Sequence, residues 1–179
     1  LHLLADMPYQ ERLVRFIENH DEPRAAATFS SEKERAATLL IATLPGAKLF
    51  HEGQFEGRKV RLPVFLGRRP KESVDRKLQD FYYKLLENVK PDVFHNGQWE
   101  ICQSTGWPDN QTYTNLIAYC WLQGDDRYLI VVNFSDLQSQ GNVKLPWDEV
   151  QGKKWHLIDV LADSTYERMG DEMVYPGLY

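Results

Sequence analysis

Asn19, His20 and Asp21 follow directly on a mainly apolar stretch at residues 13–17 and the acid Glu18. A polar cluster at the C-terminal end of a buried parallel strand is where barrels and open α/β sheets place their reacting groups. Two readings of Asp21 follow. It belongs to such a site, or it caps a helix turn, since Glu22 and Pro23 come next and proline suits the first helical position. His51 and Glu52 form a second pair at the end of the short run 48–50, and either face the same site or shape their loop. Arg24 either pairs with a carboxylate or opens a helix at the surface. The basic run Arg58, Lys59, Arg61, Arg68 and Arg69 reads as a solvated loop rather than an anion patch.

The elements that must position these residues alternate in the first half. Residues 13–17 read as a buried strand. Ser31 with Glu34 reads as a capping box, opening a helix in which Ala36, Ala37, Leu40, Ile41 and Leu44 share one face until Pro45-Gly46 stops it. Residues 48–50 form a second short strand. A second helix is expected at 74–86, with Val74, Leu78, Phe81 and Leu85 as its apolar stripe. From Phe94 the pattern changes to strands and turns. Residues 116–122 and 128–134 flank Gly124-Asp125-Asp126, a strong hairpin signal. Residues 143–145, 155–160 and the segment around Met173 are expected to add strands to an antiparallel sandwich.

Composition narrows the function class. The chain has 179 residues, 42% apolar and 26% charged, with net charge −5. That balance suits a globular protein of one domain or two small ones, and gives no basic footprint for nucleic acid. The longest nearly apolar run, 36–44, is too short for a membrane helix, which needs about 20 residues. The N-terminus lacks the basic flank and apolar stretch of a signal peptide, so a cytoplasmic setting is favoured, although a fragment can have lost a leader. Cys102 and Cys120 suit neither a disulfide framework nor Cys-x-x-Cys chemistry and read as small buried hydrophobes. No acidic cluster has calcium-loop spacing, and no metal or cofactor is expected.

The string Phe16-Ile17-Glu18-Asn19-His20-Asp21 resembles the end of the seventh barrel strand in α-amylase-family glycoside hydrolases. Further along, Leu44-Pro45-Gly46-Ala47-Lys48-Leu49-Phe50-His51-Glu52-Gly53-Gln54 is similar to the family's eighth-strand region, with its Leu-Pro-Gly entry and Gly-Gln exit. An eighth helix and an all-β C-terminal domain follow in that family, as they do in type here. Two positions depart from the pattern. Lys48 stands where proline is usual, and Phe55 where an acid follows Gly-Gln, Glu56 being one place late.

The resemblance implies an α/β part followed by an all-β part. Residues 1–92 would be the last two βα units of a TIM (β/α)8 barrel, and residues 93–179 a C-terminal antiparallel β-sandwich domain. It implies a retaining enzyme acting on the α-glucosidic bonds of an α-glucan or maltooligosaccharide. Asp21 would hold hydroxyls of the sugar being cleaved and favour its oxocarbenium-like state, with His20 donating to the same sugar and Asn19 and Glu52 as further substrate-binding positions. Retaining chemistry also needs a nucleophile and an acid/base carboxyl about 5 Å apart. In the family the nucleophile sits in an Arg-x-Asp context, and no Arg-x-Asp occurs here. An eight-unit barrel takes about 250 residues, so the chain is expected to be an inactive fragment whose cut barrel edges favour self-association. The alternative is a non-catalytic carbohydrate-binding or structural module.

Overall fold

The structure is a computed structural model and describes residues 6–63, 65 and 68–179. The chain divides into two compact units, Leu1–Lys90 and Pro91–Tyr179. Among the described residues no helix is long and apolar enough to cross a membrane.

In the first unit the order is α1 (Met7–Gln10), β1 (Val14–Arg15), α2 (Ala25–Thr28), α3 (Ser31–Thr43), β2 (Ala47–Lys48) and α4 (Arg76–Asn88). Helix α3 starts one residue earlier than the capping-box reading requires. Ser30 is the cap, its hydroxyl accepting from the Lys33 amide at 3.2 Å, and Glu34 is buried instead of reaching back to the cap. The α3 face that is buried carries Ala37, Thr38, Ile41 and Ala42. Helix α4 is capped by Asp75, which accepts from the Leu78 amide at 3.0 Å. Val74 therefore precedes the helix, and the buried stripe runs through Leu78, Tyr82 and Leu85, with Tyr82 replacing Phe81.

Strands β1 and β2 pair in parallel, Val14 with Ala47 and Arg15 with Lys48, as expected for neighbouring strands joined through a helix. The joint is tight. Gly46 has φ +100°, and a Cβ there would lie 2.5 Å from the Leu13 carbonyl oxygen, so the Leu-Pro-Gly entry is a steric requirement of the pairing. Lys48 is half-buried, and burial, followed by the nearby Arg15, pulls its ammonium pKa below the ordinary lysine value. The expected buried strand at 13–17 is shorter and more open than its composition suggests: Val14 is 56% exposed and Phe16 41%. Its one ladder partner among the described residues is β2, and these residues form no closed barrel.

The second unit opens with a short helix, α5 (Val93–Asn96), and is otherwise mainly antiparallel: β3 (Gln98–Ile101), β4 (Gln103–Thr105), β5 (Leu116–Gln123), β6 (Asp126–Asn133), β7 (Asn142–Lys144), β8 (Lys154–Asp159) and β9 (Ser164–Met169). The expected hairpin is present, β5 pairing with β6 around a two-residue turn, Gly124-Asp125, with Gly124 at φ +58°. Instead of two broad facing sheets, the described residues form a three-stranded sheet, β3-β5-β6, and two separate pairs, β4-β7 and β8-β9. At Cys102 the chain leaves its pairing with β5 and begins pairing with β7. The segment around Met173 is not a strand: a short helical turn, Gly170–Glu172, runs on through Met173 and is kinked at Tyr175, whose backbone is extended. Met173 packs into a core with Cys102, Ala118, Cys120, Val143, Leu145, Trp147 and Val150. Both cysteines are free and buried, as their reading required. A hydrogen bond with Cys120, then burial, raises the Cys102 thiol pKa.

The open β1 edge, with Val14 and Phe16 exposed beside it and Leu49 exposed beyond β2, has a measurable consequence. The isolated 179-residue chain is expected to self-associate, its sedimentation coefficient rising with concentration. A species that stays monomeric at high concentration would remove that expectation, and Val14→Lys should shift the equilibrium towards monomer.

Candidate functional site

The two strand-end segments meet because of the β1–β2 register. Glu18 and His51 each lie four residues beyond a paired position, Val14 and Ala47 respectively, so both chains leave the sheet at the same level. Between them sits a buried ion pair. Glu18 is fully buried and Arg24 nearly so, with Glu18 Oε1 and Arg24 Nη2 at 3.1 Å. The other carboxylate oxygen accepts from the Ala25 amide at 2.6 Å, at the start of α2.

Arg24 spends its remaining donors on the second segment. Nη1 and Nη2 each donate to the Glu52 carbonyl at 2.9 Å, and Nε donates to the Arg58 carbonyl at 3.2 Å. Nη1 also lies 2.8 Å from His51 Nδ1. Arginine has no lone pair to offer, so Nδ1 accepts and the ring proton sits on Nε2. Gly53 makes room for this. At φ +83°, a Cβ there would come within 2.8 Å of Arg24 Nη2 and 2.7 Å of Arg58 Cγ.

The network continues to the helices. Gln54 Oε1 accepts from the His51 amide at 3.0 Å, and Gln54 Nε2 donates to the Tyr82 hydroxyl at 2.9 Å. That hydroxyl is 2.8 Å from Thr38 Oγ1 on α3. Burial pushes the Tyr82 pKa up to about 12. Phe55, the departure after Gly-Gln, stacks on the Tyr82 ring at 4.7 Å and meets Phe50 and Tyr83 edge-on. An acid at this position would lose those ring contacts.

His20 and Asp21 stand on the rim of this buried frame. Their side chains are largely exposed, with His20 Nε2 and Asp21 Oδ2 at 3.2 Å. Asn19 shapes the turn that presents them, its Oδ1 accepting from the amides of Asp21 at 2.7 Å and Glu22 at 3.0 Å. Asp21 caps no helix, because α2 begins at Ala25 with Arg24 at its cap position. The Glu52 carboxylate is exposed and paired with Arg69, and Arg61 Nε donates to the His20 carbonyl at 3.3 Å. Part of the basic run is therefore turned back onto the two strand-end segments.

The sequence reading left Glu18, Gln54 and Tyr82 out of the candidate set and left Arg24 open. Glu18 carried a usable signal, an acid directly after an apolar run. Tyr82 carried none, since a tyrosine beside Phe81 looks like helix surface. Glu34 was also missed. Burial, then repulsion from Glu18 and Asp75, raises its pKa to about 7. Among the described residues no group of three histidine, cysteine or acidic side chains is arranged to hold a metal. In the second unit Trp121 and Trp147 are core residues, whereas Trp107 is 38% exposed, its ring edge-on to Tyr179.

No protein-family model matches the chain, and neither does any curated protein. Solved structures do. A noncanonic maltogenic α-amylase from Thermotoga neapolitana is 24% identical, covering 86% of this chain and 36% of its own, with a TM-score of 0.71. An Anoxybacillus α-amylase is 18% identical over 86% of this chain and 33% of its own, at 0.64. A Nostoc punctiforme debranching enzyme is 16% identical over 92% and 33%, at 0.62. The chain thus spans about a third of the length of each of these structures and shares the fold of that third.

Two stability predictions follow from the buried charges. Arg24→Ala leaves Glu18 buried without its cation and is expected to cost about 3–5 kcal/mol in urea unfolding, with Glu18→Gln in the same chain recovering part of the loss. Glu34 acts through pH. Its folded pKa lies above the ordinary 4.5, so the folded state holds the proton more tightly. The corresponding stabilisation is complete below pH 4.5 and is lost as pH rises towards 7, by on the order of 3 kcal/mol. Glu34→Gln should flatten that part of the wild-type profile, and an unchanged slope would contradict the assignment.

Proposed function

We propose that this chain is the C-terminal portion of an α-amylase-family glycoside hydrolase that acts on α-glucosidic bonds by a retaining mechanism. The observation that carries this reading is the parallel register of β1 and β2. It brings the Glu18-Asn19-His20-Asp21 segment and the Gly53-Gln54 exit to one end of the sheet, in the order the sequence resemblance requires. The likeness in fold to two α-amylases and a debranching enzyme supports it. In this reading residues 1–92 are the last two βα units of the catalytic barrel and residues 93–179 its β-rich C-terminal domain.

Asp21 is the transition-state stabiliser. An exposed carboxylate on a braced turn can accept hydrogen bonds from ring hydroxyls, and bonds that shorten as the ring flattens favour the oxocarbenium-like state over the bound substrate. His20 donates to the same sugar and is held beside Asp21 at 3.2 Å. Asn19 fixes the turn through Oδ1 and offers its Nδ2 to the substrate. Glu52 lies on the substrate side, oriented by Arg69. The nucleophile and the acid/base group come from the part of the enzyme beyond this third, so the chain alone is inactive.

In the complete enzyme, Asp21→Asn is expected to lower kcat for a maltooligosaccharide by on the order of 10²–10³-fold while KM changes far less, because the lost contact belongs to the transition state. His20→Ala should give a smaller loss. Near-normal kcat in Asp21→Asn, with an unaltered circular dichroism spectrum, would refute the assignment, as would turnover by the 179-residue chain alone.

A further inference from the structure

Glu34 serves neither the strand-end group nor the α3 cap, and it lines a cleft of about 650 Å³ in the first unit. It is 3% exposed, and its Oε1 has no hydrogen-bond partner. A buried carboxyl oxygen without a partner is costly, and Glu34 is also a residue of the cleft wall. The volume is in the range of small-ligand sites.

The lining selects the kind of ligand. Lys59 and Lys71 stand exposed at the rim, while Glu34, Glu72 and Asp75 supply acids. Two of those acids are already engaged. Glu72 Oε2 accepts from the Lys59 and Val60 amides at 2.7 and 3.2 Å, and Asp75 caps α4. An anion would meet the Glu34 carboxyl and the remaining lone pairs of these acids; a cation would have to pass two lysines. A neutral ligand rich in hydroxyls can use ammonium donors and carboxyl acceptors together. Phe29 and Leu78 give its C–H face an apolar wall. Near neutral pH the Glu34 carboxyl is partly protonated and can donate as well as accept.

We propose that this cleft binds a short neutral sugar of one or two rings, with Glu34 at its floor and Lys59, Lys71 and Ser73 at its rim. None of these residues belongs to the Asn19, His20, Asp21 and Glu52 group. The choice of an α-linked probe rests on the α-glucan reading above; the cleft itself does not.

The test is a maltose titration of the isotope-labelled 179-residue chain, followed by amide chemical shifts. Saturable shifts at Ala26, Ser73 and Val74 are expected. Lys71→Ala and Glu34→Ala should each weaken binding by about tenfold. Glu34→Gln, which keeps a donor and an acceptor, should retain it, separating a lost contact from a lost fold. His20→Ala should change nothing. The proposal is overturned if maltose gives no saturable shifts in the cleft, if the shifts survive Glu34→Ala and vanish in His20→Ala, or if inorganic phosphate or methylammonium saturates the cleft while maltose does not. A kinetic defect in Asp21→Asn without cleft shifts would sink the cleft alone, and the reverse pattern the catalytic reading alone.

Discussion

A carboxylate withdrawn from water needs an opposite charge withdrawn with it, and that requirement organises the first unit. Glu18 has no exposed surface, and its countercharge comes from Arg24, a few residues along the same segment. The pairing folds the segment back on itself, which is why residues 18–24 form a compact turn instead of a continuing strand. Once placed, the guanidinium still has donors to satisfy, and a buried N–H without an acceptor is as costly as a missing countercharge. The Glu52 and Arg58 carbonyls supply those acceptors, so a single cation ties both strand-end segments together. Its planar fork makes this possible, since Glu18, His51 and the two carbonyls are four separate partners and a lysine ammonium has only three donors.

The same constraint reaches the helices through Gln54 and Tyr82. An amide side chain buried at a strand end must place both its oxygen and its nitrogen, and here they go to the His51 amide and the Tyr82 hydroxyl. The hydroxyl closes the chain on Thr38, which ties α4 to α3 by a buried polar contact. Phe50, Phe55 and Tyr82 wrap this contact in ring surface and keep water from competing for it. Glu34 marks where satisfaction stops. Burial, then the charges of Glu18 and Asp75, outweigh the opposing pull of Arg24 and Lys59, and the carboxyl keeps its proton to about neutral pH.

Much of this was legible from residue types. The alternation of elements in the first half, the β5–β6 hairpin, the free buried cysteines and the glycine at position 46 all follow from local rules, because periodicity, turn chemistry and steric contact act over a few residues. The failures have a common origin in contacts distant along the chain. Whether Phe81 or Tyr82 is buried depends on where α4 starts and on Thr38, 44 residues away. Arg24 stayed open between pairing with a carboxylate and a surface role because its carbonyl acceptors, Glu52 and Arg58, lie 28 and 34 residues on. The capping box at Ser31 failed because burial claimed Glu34, and the strand at Met173 failed because its apolar side chain is equally well used by a helical turn packed on the core. Val14 and Phe16 read as core because apolar composition registers a tendency to be covered without naming what does the covering.

The frame explains how His20 and Asp21 are held, and it also isolates them. The buried Glu18–Arg24 pair is completed by backbone groups and by His51, and neither the His20 nor the Asp21 side chain takes part in that balance. An exposed contact of this kind contributes little to stability, and the turn beneath it is fixed by Asn19 whatever the next two side chains are. Folding therefore does not account for an imidazole and a carboxylate set side by side at the rim of a rigid, buried network. Two exposed polar groups side by side at the edge of a buried network that does not need them suit the sugar recognition proposed for them, since groups already in place lose little freedom when a ligand arrives. The stability of the unit and the chemistry proposed for it are thus carried by adjacent but different residues of one short segment.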